Sequence, residues 1–256
     1  MRNDGPGREN EPVDWRQGYG YQFWRCQHGA YRADGAFGQF CVVMPAQDAV
    51  LVITSETGNM QRVLDLVWEH LLPAMKPAPL PPQPAAQERL RERLSSLALP
   101  LPPGQPLPPG ARDLSGRRFR VETNDLGVRS VAFSFDDGSC AFRLWDGRGE
   151  HRIVCGNGAW VRNEAMLPVM RPSLMHLISS TRHEVPAQVA AHCTWENTQT
   201  LVMTWRYLET PHADTVTCRF VGDGVQIEVA SSMADPNNPL LAGLRTGLTG
   251  TLEQEG

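Results

Sequence analysis

The residues able to do chemistry are varied in kind and scattered in spacing. Seven histidines (His28, His70, His151, His176, His183, His192 and His212) are spread over 256 residues. His176 and His183 flank one loop, but no C-x-x-C or H-x-x-x-H spacing accompanies any of them, so no zinc set is predicted. Asp136-Asp137-Gly138 and Asp146-Gly147-Arg148-Gly149 place carboxylates in turns as calcium loops do. They lack alternating acidic positions and a closing glutamate, so hairpin turns are expected. Gly156-Asn157-Gly158 precedes no helix opening on Lys-Ser/Thr and reads as a turn, not a phosphate cradle. A serine nucleophile needs a base beside it. No serine has a lysine three residues on, and Lys76 is the only lysine in the chain. The six cysteines (Cys26, Cys41, Cys140, Cys155, Cys193 and Cys218) sit mostly in apolar runs and are read as free buried thiols. No metal or cofactor is expected.

The elements that would position these groups begin with the most patterned stretch, residues 18–55. Tyr19, Tyr21 and Phe23 alternate with Gly20, Gln22 and Trp24; an apolar run from Phe40 to Met44 follows; Ala49 to Ile53 form a third run. Three sequential antiparallel strands are predicted, the last two covered on both faces. Asn59 is an N-cap candidate. Met60, Val63, Leu64, Val67, Trp68, Leu71 and Leu72 recur at helical spacing before Pro73 ends the run.

These residues carry a resemblance. Gly18-Tyr19-Gly20-Tyr21, the run Ala33-Asp34-Gly35-Ala36-Phe37-Gly38-Gln39, Pro45, Asp48, Val50 to Ser55, Trp68-Glu69 and Leu72-Pro73-Ala74 together resemble the C-terminal end of the β-lactamase-related serine hydrolases. This is the class C β-lactamase and penicillin-binding-protein-like family. The resemblance covers residues 18–75. It implies amide or ester hydrolysis through an acyl-serine in full-length relatives. That chemistry uses Ser-x-x-Lys, Tyr-x-Asn and a Lys-Thr-Gly-like strand. The first two are absent here. By position, Ala33-Asp34-Gly35 falls at the third: Gly35 matches, Ala33 departs from the lysine and Asp34 from the threonine. Asp34, Gly35 and Ala36 are therefore the candidate site remnant, with the Ala36 N–H as oxyanion-hole donor. The alternative is that Gly35 and Gly38 are ordinary strand or bulge glycines.

The rest of the chain divides by composition. Residues 1–17 are polar and expected to be disordered. Residues 18–76 are the truncated end of a β-lactamase-like domain. Residues 77–112 are a Pro-rich, semi-rigid linker with a solvated helix over 85–97. In residues 113–232, short β-like runs recur at 118–122, 130–134, 140–145, 151–156, 188–195, 200–207, 214–221 and 225–230. Tight turns separate them, predicting a small antiparallel barrel or sandwich. Residues 164–184 interrupt the meander as a loop or short helix, and 233–256 are a loop or frayed tail. Trp145, Trp160, Trp195 and Trp205 are expected in the core, although aromatics lining a barrel could instead hold a small apolar ligand. Leu114 to Phe119, the Asp-Asp-Gly turn and Tyr207 to His212 resemble the lipocalin-like C-terminal extension of the same hydrolase group. The fold class is thus α+β: antiparallel strands and a helix, then a small lipocalin-like β-barrel.

Net charge of −4 and a pI near 6.0 argue against a partner held by phosphate contacts. No apolar run is long enough for a membrane span. With no signal peptide at Met1, a cytoplasmic product is expected, although the resembled family works mostly outside the cytoplasm. The functional expectation is the C-terminal portion of a serine hydrolase, inactive alone, with a separate N-terminal catalytic half as its partner. The alternative is a non-enzymatic β-barrel that binds an apolar ligand or a protein.

Overall fold

The computed structural model describes residues 11–167, 186–234 and 245–253. It divides into two compact units, Met1–Ala98 and Leu99–Gly256, each with its own hydrophobic core.

The first unit is an antiparallel meander of β1 (Tyr19–Gly20), β2 (Phe23–Arg25), β3 (Tyr31–Asp34), β4 (Phe40–Met44) and β5 (Ala49–Ile53), paired in chain order. The aromatic run expected as one strand is two. Tyr21 and Gln22 take left-handed φ of 53° and 66° and turn β1 into β2. α1 (Met60–Leu66) follows, with the Asn59 side chain accepting from the Arg62 N–H at 3.0 Å, as the sequence predicts. It continues through a wide turn, Val67–Leu71, into a tight one, Leu72–Ala74. Pro73 has no N–H to continue the helix. Leu64, Val67 and Trp68 pack with Phe40, Val42 and Met44 of β4. The other sheet face does not match expectation. Val50 and Val52 of β5 are 64% and 70% exposed, so β5 is covered on one face only. α2 (Pro84–Ser95) starts on a proline suited to a first turn, and Leu90 and Leu94 stay exposed on it.

Residues 1–10 lie outside the described residues, but the segment after them is ordered, contrary to expectation. A single turn, Val13–Trp15, buries Asp14 completely. Its carboxylate accepts from the Gln27 N–H at 2.8 Å, Gln27 Nε2 at 3.1 Å, Gln61 Nε2 at 2.8 Å and Trp68 Nε1 at 3.1 Å. Burial opposes ionisation here, and these donors outweigh it, holding the carboxyl below its usual range.

The second unit contains β6 (Arg118–Val121), β7 (Ser130–Asp136), β8 (Ser139–Trp145), β9 (Glu150–Asn157), β10 (Val161–Ala165), β11 (Ala187–Asn197), β12 (Thr200–Tyr207), β13 (Ala213–Val221), β14 (Gly224–Ser231) and β15 (Arg245–Leu252). Nine of them close into a barrel, antiparallel throughout except where β9 meets β11 in parallel. The expected β-like runs all fall on strands. The two acidic turns close the β7–β8 and β8–β9 hairpins. Two expectations are corrected. β15 is a full strand where a frayed tail was expected. It pairs with β14 on one side and with β6 on the other, from Gly250↔Val121 to Leu252↔Phe119. Without it the ring would stay open. Gly250 permits the approach, since a Cβ there would lie 3.2 Å from Phe119 Cβ and Val225 Cγ1. At the expected interruption over 164–184, the chain to Ala165 is the end of β10, and residues 168–185 lie outside the described residues.

The seam of the barrel runs along one edge of β11. β10 pairs with residues 187–191 of β11, and the end of β9 runs parallel to His192 and Cys193. Asn163 bridges β9 and β10 with its side chain, accepting from the Val154 N–H at 2.8 Å and donating to the Val154 carbonyl at 2.9 Å.

Candidate functional site

Asp34, Gly35 and Ala36 form the end of β3 and the turn into β4. The Asp34 carboxylate accepts from Arg32 Nε at 3.0 Å. Arg32 is fully buried, lies 4.1 Å over the Trp15 ring, and donates through Nη1 to the Asp14 carbonyl at 3.1 Å. Asp34 therefore serves as the counter-ion of a buried guanidinium. No signal in the sequence marks Arg32, since an arginine between Tyr31 and Ala33 looks like an ordinary solvated strand position. The Gly35 N–H donates to the Gln39 carbonyl at 2.9 Å, and Ala36 is exposed at the tip. The Ser55 hydroxyl meets this turn and donates to the Gly38 carbonyl at 2.5 Å. Lys76 donates to the Pro73 carbonyl at 3.0 Å. The Gly35 and Ser55 bonds tie the turn together, Lys76 is engaged elsewhere, and among the described residues no activated nucleophile meets the turn.

The other chemical groups disperse. His151 pairs with Asp146 at 2.9 Å inside the β8–β9 hairpin turn. His28 packs on Trp68, and His70 is exposed beside Glu69. His176 and His183 lie outside the described residues. Among the described residues no three histidine, cysteine or acidic groups have metal-holding geometry. The six thiols are free. Cys140, Cys155, Cys193 and Cys218 lie in the barrel core, where burial pushes the Cys155 and Cys218 thiols up, away from the reactive thiolate.

The barrel interior is occupied by its own side chains. Phe133 is the hub, 5.1 Å from Phe220, 5.2 Å from Phe142 and 6.2 Å from Phe119 between ring centroids. Trp195 and Trp205 belong to this core, as expected. Trp145 and Trp160 do not: Trp145 sits beneath Arg118, and Trp160 is partly exposed against His192. Away from the phenylalanines the lining becomes polar. Tyr207 Oη donates to Asp214 Oδ2 at 2.5 Å, and Asp214 faces Ser231 across the β13–β14 pair.

The most distinctive arrangement is on the outer wall, over the seam. The Pro-rich segment at 99–108 does not run free as a linker. The Gln105 N–H donates to the Trp195 carbonyl at 2.8 Å, extending the edge of β11 beyond the end of β9. The Leu99 carbonyl accepts from Trp160 Nε1 at 3.3 Å. Gly104 lies so close to Thr194 that a Cβ there would sit 1.5 Å from Thr194 Oγ1, so only glycine fits. Between this strap and the turn at Asn157 and Gly158 is a groove of about 320 Å³ with His192 and Thr194 in its lining.

His192 is 3% exposed, and its ring lies 5.6 Å from that of Trp160. Its Nδ1 is buried with no hydrogen-bond partner among the described residues. Burial holds the imidazole below its ordinary value of 6.5, so it is neutral at pH 7, with one nitrogen donating and the other accepting. Along β11, Val189, Ala191, Cys193 and Trp195 face the barrel core, and His192 and Thr194 lie on the other face. Nothing in that pattern signals that residues some ninety positions earlier cover the outer face.

No family model matches the chain, and no curated protein matches it. Among solved structures it is similar to the fatty-acid-binding protein isolated from Manduca sexta. That match has 9% identity and a TM-score of 0.34, and spans 55% of this chain and 99% of that one. It is also similar to a luciferase domain from the dinoflagellate Lingulodinium polyedrum, at 9% identity and a TM-score of 0.37, over 76% of this chain and 62% of that one. The serine-hydrolase resemblance of residues 18–75 gains no support from these comparisons.

Proposed function

We propose that the second unit is a non-enzymatic binding module that takes a small molecule into the groove between the strap and β11. One observation carries this reading: a buried imidazole lines the groove with a nitrogen that nothing in the described protein satisfies. An unpaired buried polar group costs about 1–3 kcal/mol, and a ligand that bonds to it recovers much of that. Leu101, Pro102 and Pro106 supply apolar wall, and His192 and Thr194 supply the polar floor. This is the usual division of labour in a small-molecule site. The apolar ligand expected of the barrel corresponds to the apolar body of this molecule, and its site is the outer wall and not the lumen, which side chains occupy.

The test is a screen of small neutral fragments against the full ¹⁵N-labelled chain by amide correlation spectra. Saturable shifts are expected at Gly104, Gly158, His192 and Thr194, lost in His192→Ala. Shifts confined to the Trp205 indole and its lumen neighbours would place the ligand inside the barrel and overturn the groove assignment.

A further inference from the structure

Resting on that reading, we infer that the groove selects an uncharged, planar molecule carrying a hydrogen-bond donor and an acceptor on one edge, as a carboxamide or an amide-bearing heteroaromatic ring does. Three features of the wall lead there.

The first is charge. The groove is lined by leucine, proline, glycine, glutamine, asparagine, histidine and threonine, with no Asp, Glu, Lys or Arg. A carboxylate or an ammonium group entering it would give up hydration and meet no opposite charge. The neutral imidazole supplies none either.

The second is the hydrogen-bonding pattern. The unpaired Nδ1 of neutral His192 donates or accepts according to the ring tautomer, and Thr194 offers a hydroxyl that does both. An apolar molecule leaves Nδ1 unpaired, whereas a carboxamide, which both donates and accepts, pairs with it in either tautomer and with the Thr194 hydroxyl.

The third is shape. Pro102 and Pro106 contribute stiff pyrrolidine rings to the wall opposite the planar His192 imidazole, which the Trp160 ring backs from outside the groove lining. At about 320 Å³ the groove is at the small end of the range for ligand sites, sized for a single ring with a substituent and not for an extended chain.

The experiment uses three molecules of one size and shape that differ in charge: benzamide, benzoate and benzylammonium. Each is titrated at pH 7.5 into the full, uniformly ¹⁵N-labelled chain, following the His192 ring nitrogens and the Gly158 amide. Benzamide is expected to shift both saturably, with benzoate and benzylammonium weaker by about tenfold or more. His192→Phe should weaken benzamide by about fivefold or more, and Thr194→Val is the second variant should the first not fold. Charged analogues binding at the same nuclei within about threefold of benzamide would overturn the ligand class and leave the groove as a binding site. Unaltered benzamide binding in both variants would overturn the hydrogen-bonding edge. No saturable shift from any of the three would overturn the inference. If the wider neutral screen also leaves the groove silent, the binding-module reading falls with it.

Discussion

Both units are antiparallel meanders paired largely in chain order, yet the first remains an open five-stranded sheet and the second closes on itself. In the barrel, alternate residues of every strand face one shared interior, so Phe119, Phe133, Phe142 and Phe220 from four strands meet in one cluster. In the open sheet only one face has a helix to pack on. Val42 is fully buried there, while Val52 on the opposite face is 70% exposed. The open unit compensates with polar bonds. The buried Asp14 carboxylate ties the N-terminal turn to Gln27, Gln61 and Trp68, and Arg32 ties the same turn to β3. Closure lets apolar packing carry the fold. The open sheet is held by a buried ionic network as well.

The largest expected effect is in the barrel. Phe133→Ala removes the hub of the aromatic cluster and should cost about 3–5 kcal/mol. Residue-resolved amide exchange in urea should show this loss in β7, β8 and β12, with β3 to β5 unchanged. An equal loss in the first unit would mean that the two unfold together, and the contrast would fail.

Next comes the polar network. Asp14→Ala strands four donors and should cost the first unit about 1–3 kcal/mol, leaving exchange in the barrel unchanged.

Acid should then separate the two units by pH window. The folded Asp14 carboxyl has a lowered pKa, so its stabilisation is complete above the ordinary value of 3.8 and is lost as pH falls through the folded value. The folded His192 imidazole is also lowered. The unfolded chain therefore takes up the proton first, and that contribution is lost as pH falls below 6.5. Unfolding followed at separate residues from pH 7.5 to 2.5 should show the barrel weakening first. His192→Phe should remove that early phase, and its persistence would assign the phase to another group.

The smallest effect sharpens the contrast most. Val52→Thr on the open face should change stability by no more than about 0.5 kcal/mol. Val42→Thr on the packed face of the same sheet should cost about 1–3 kcal/mol, because it buries a hydroxyl. A comparable loss for both, read by chemical denaturation, would mean that the open face is covered in solution.

Much of this architecture was legible in the chain. The alternation of Val131, Phe133 and Phe135, and of Phe142 and Leu144, with polar or small neighbours reads as half-packed strands, and Asn59 marks a helix start, because each signal is local. β15 was missed for the opposite reason. Arg245 to Leu252 is rich in threonine and glycine, with Leu248 buried among them, so it has little hydrophobic signal of its own. It is a strand because β14 and β6 both present it with unpaired backbone groups.

By itself, the sequence determined the run of short strands, their turns, the first helix and the absence of a Ser-x-x-Lys pair. All of these depend on residues within a few positions of one another. Only the tertiary structure decided that the barrel closes, that Asp34 neutralises a buried Arg32, that one face of the first sheet is open, and that a proline strap covers His192. Each of those depends on which distant segment arrives at a given face. Burial and pairing follow from that arrival, and the alternation of side chains along a single strand carries no record of it.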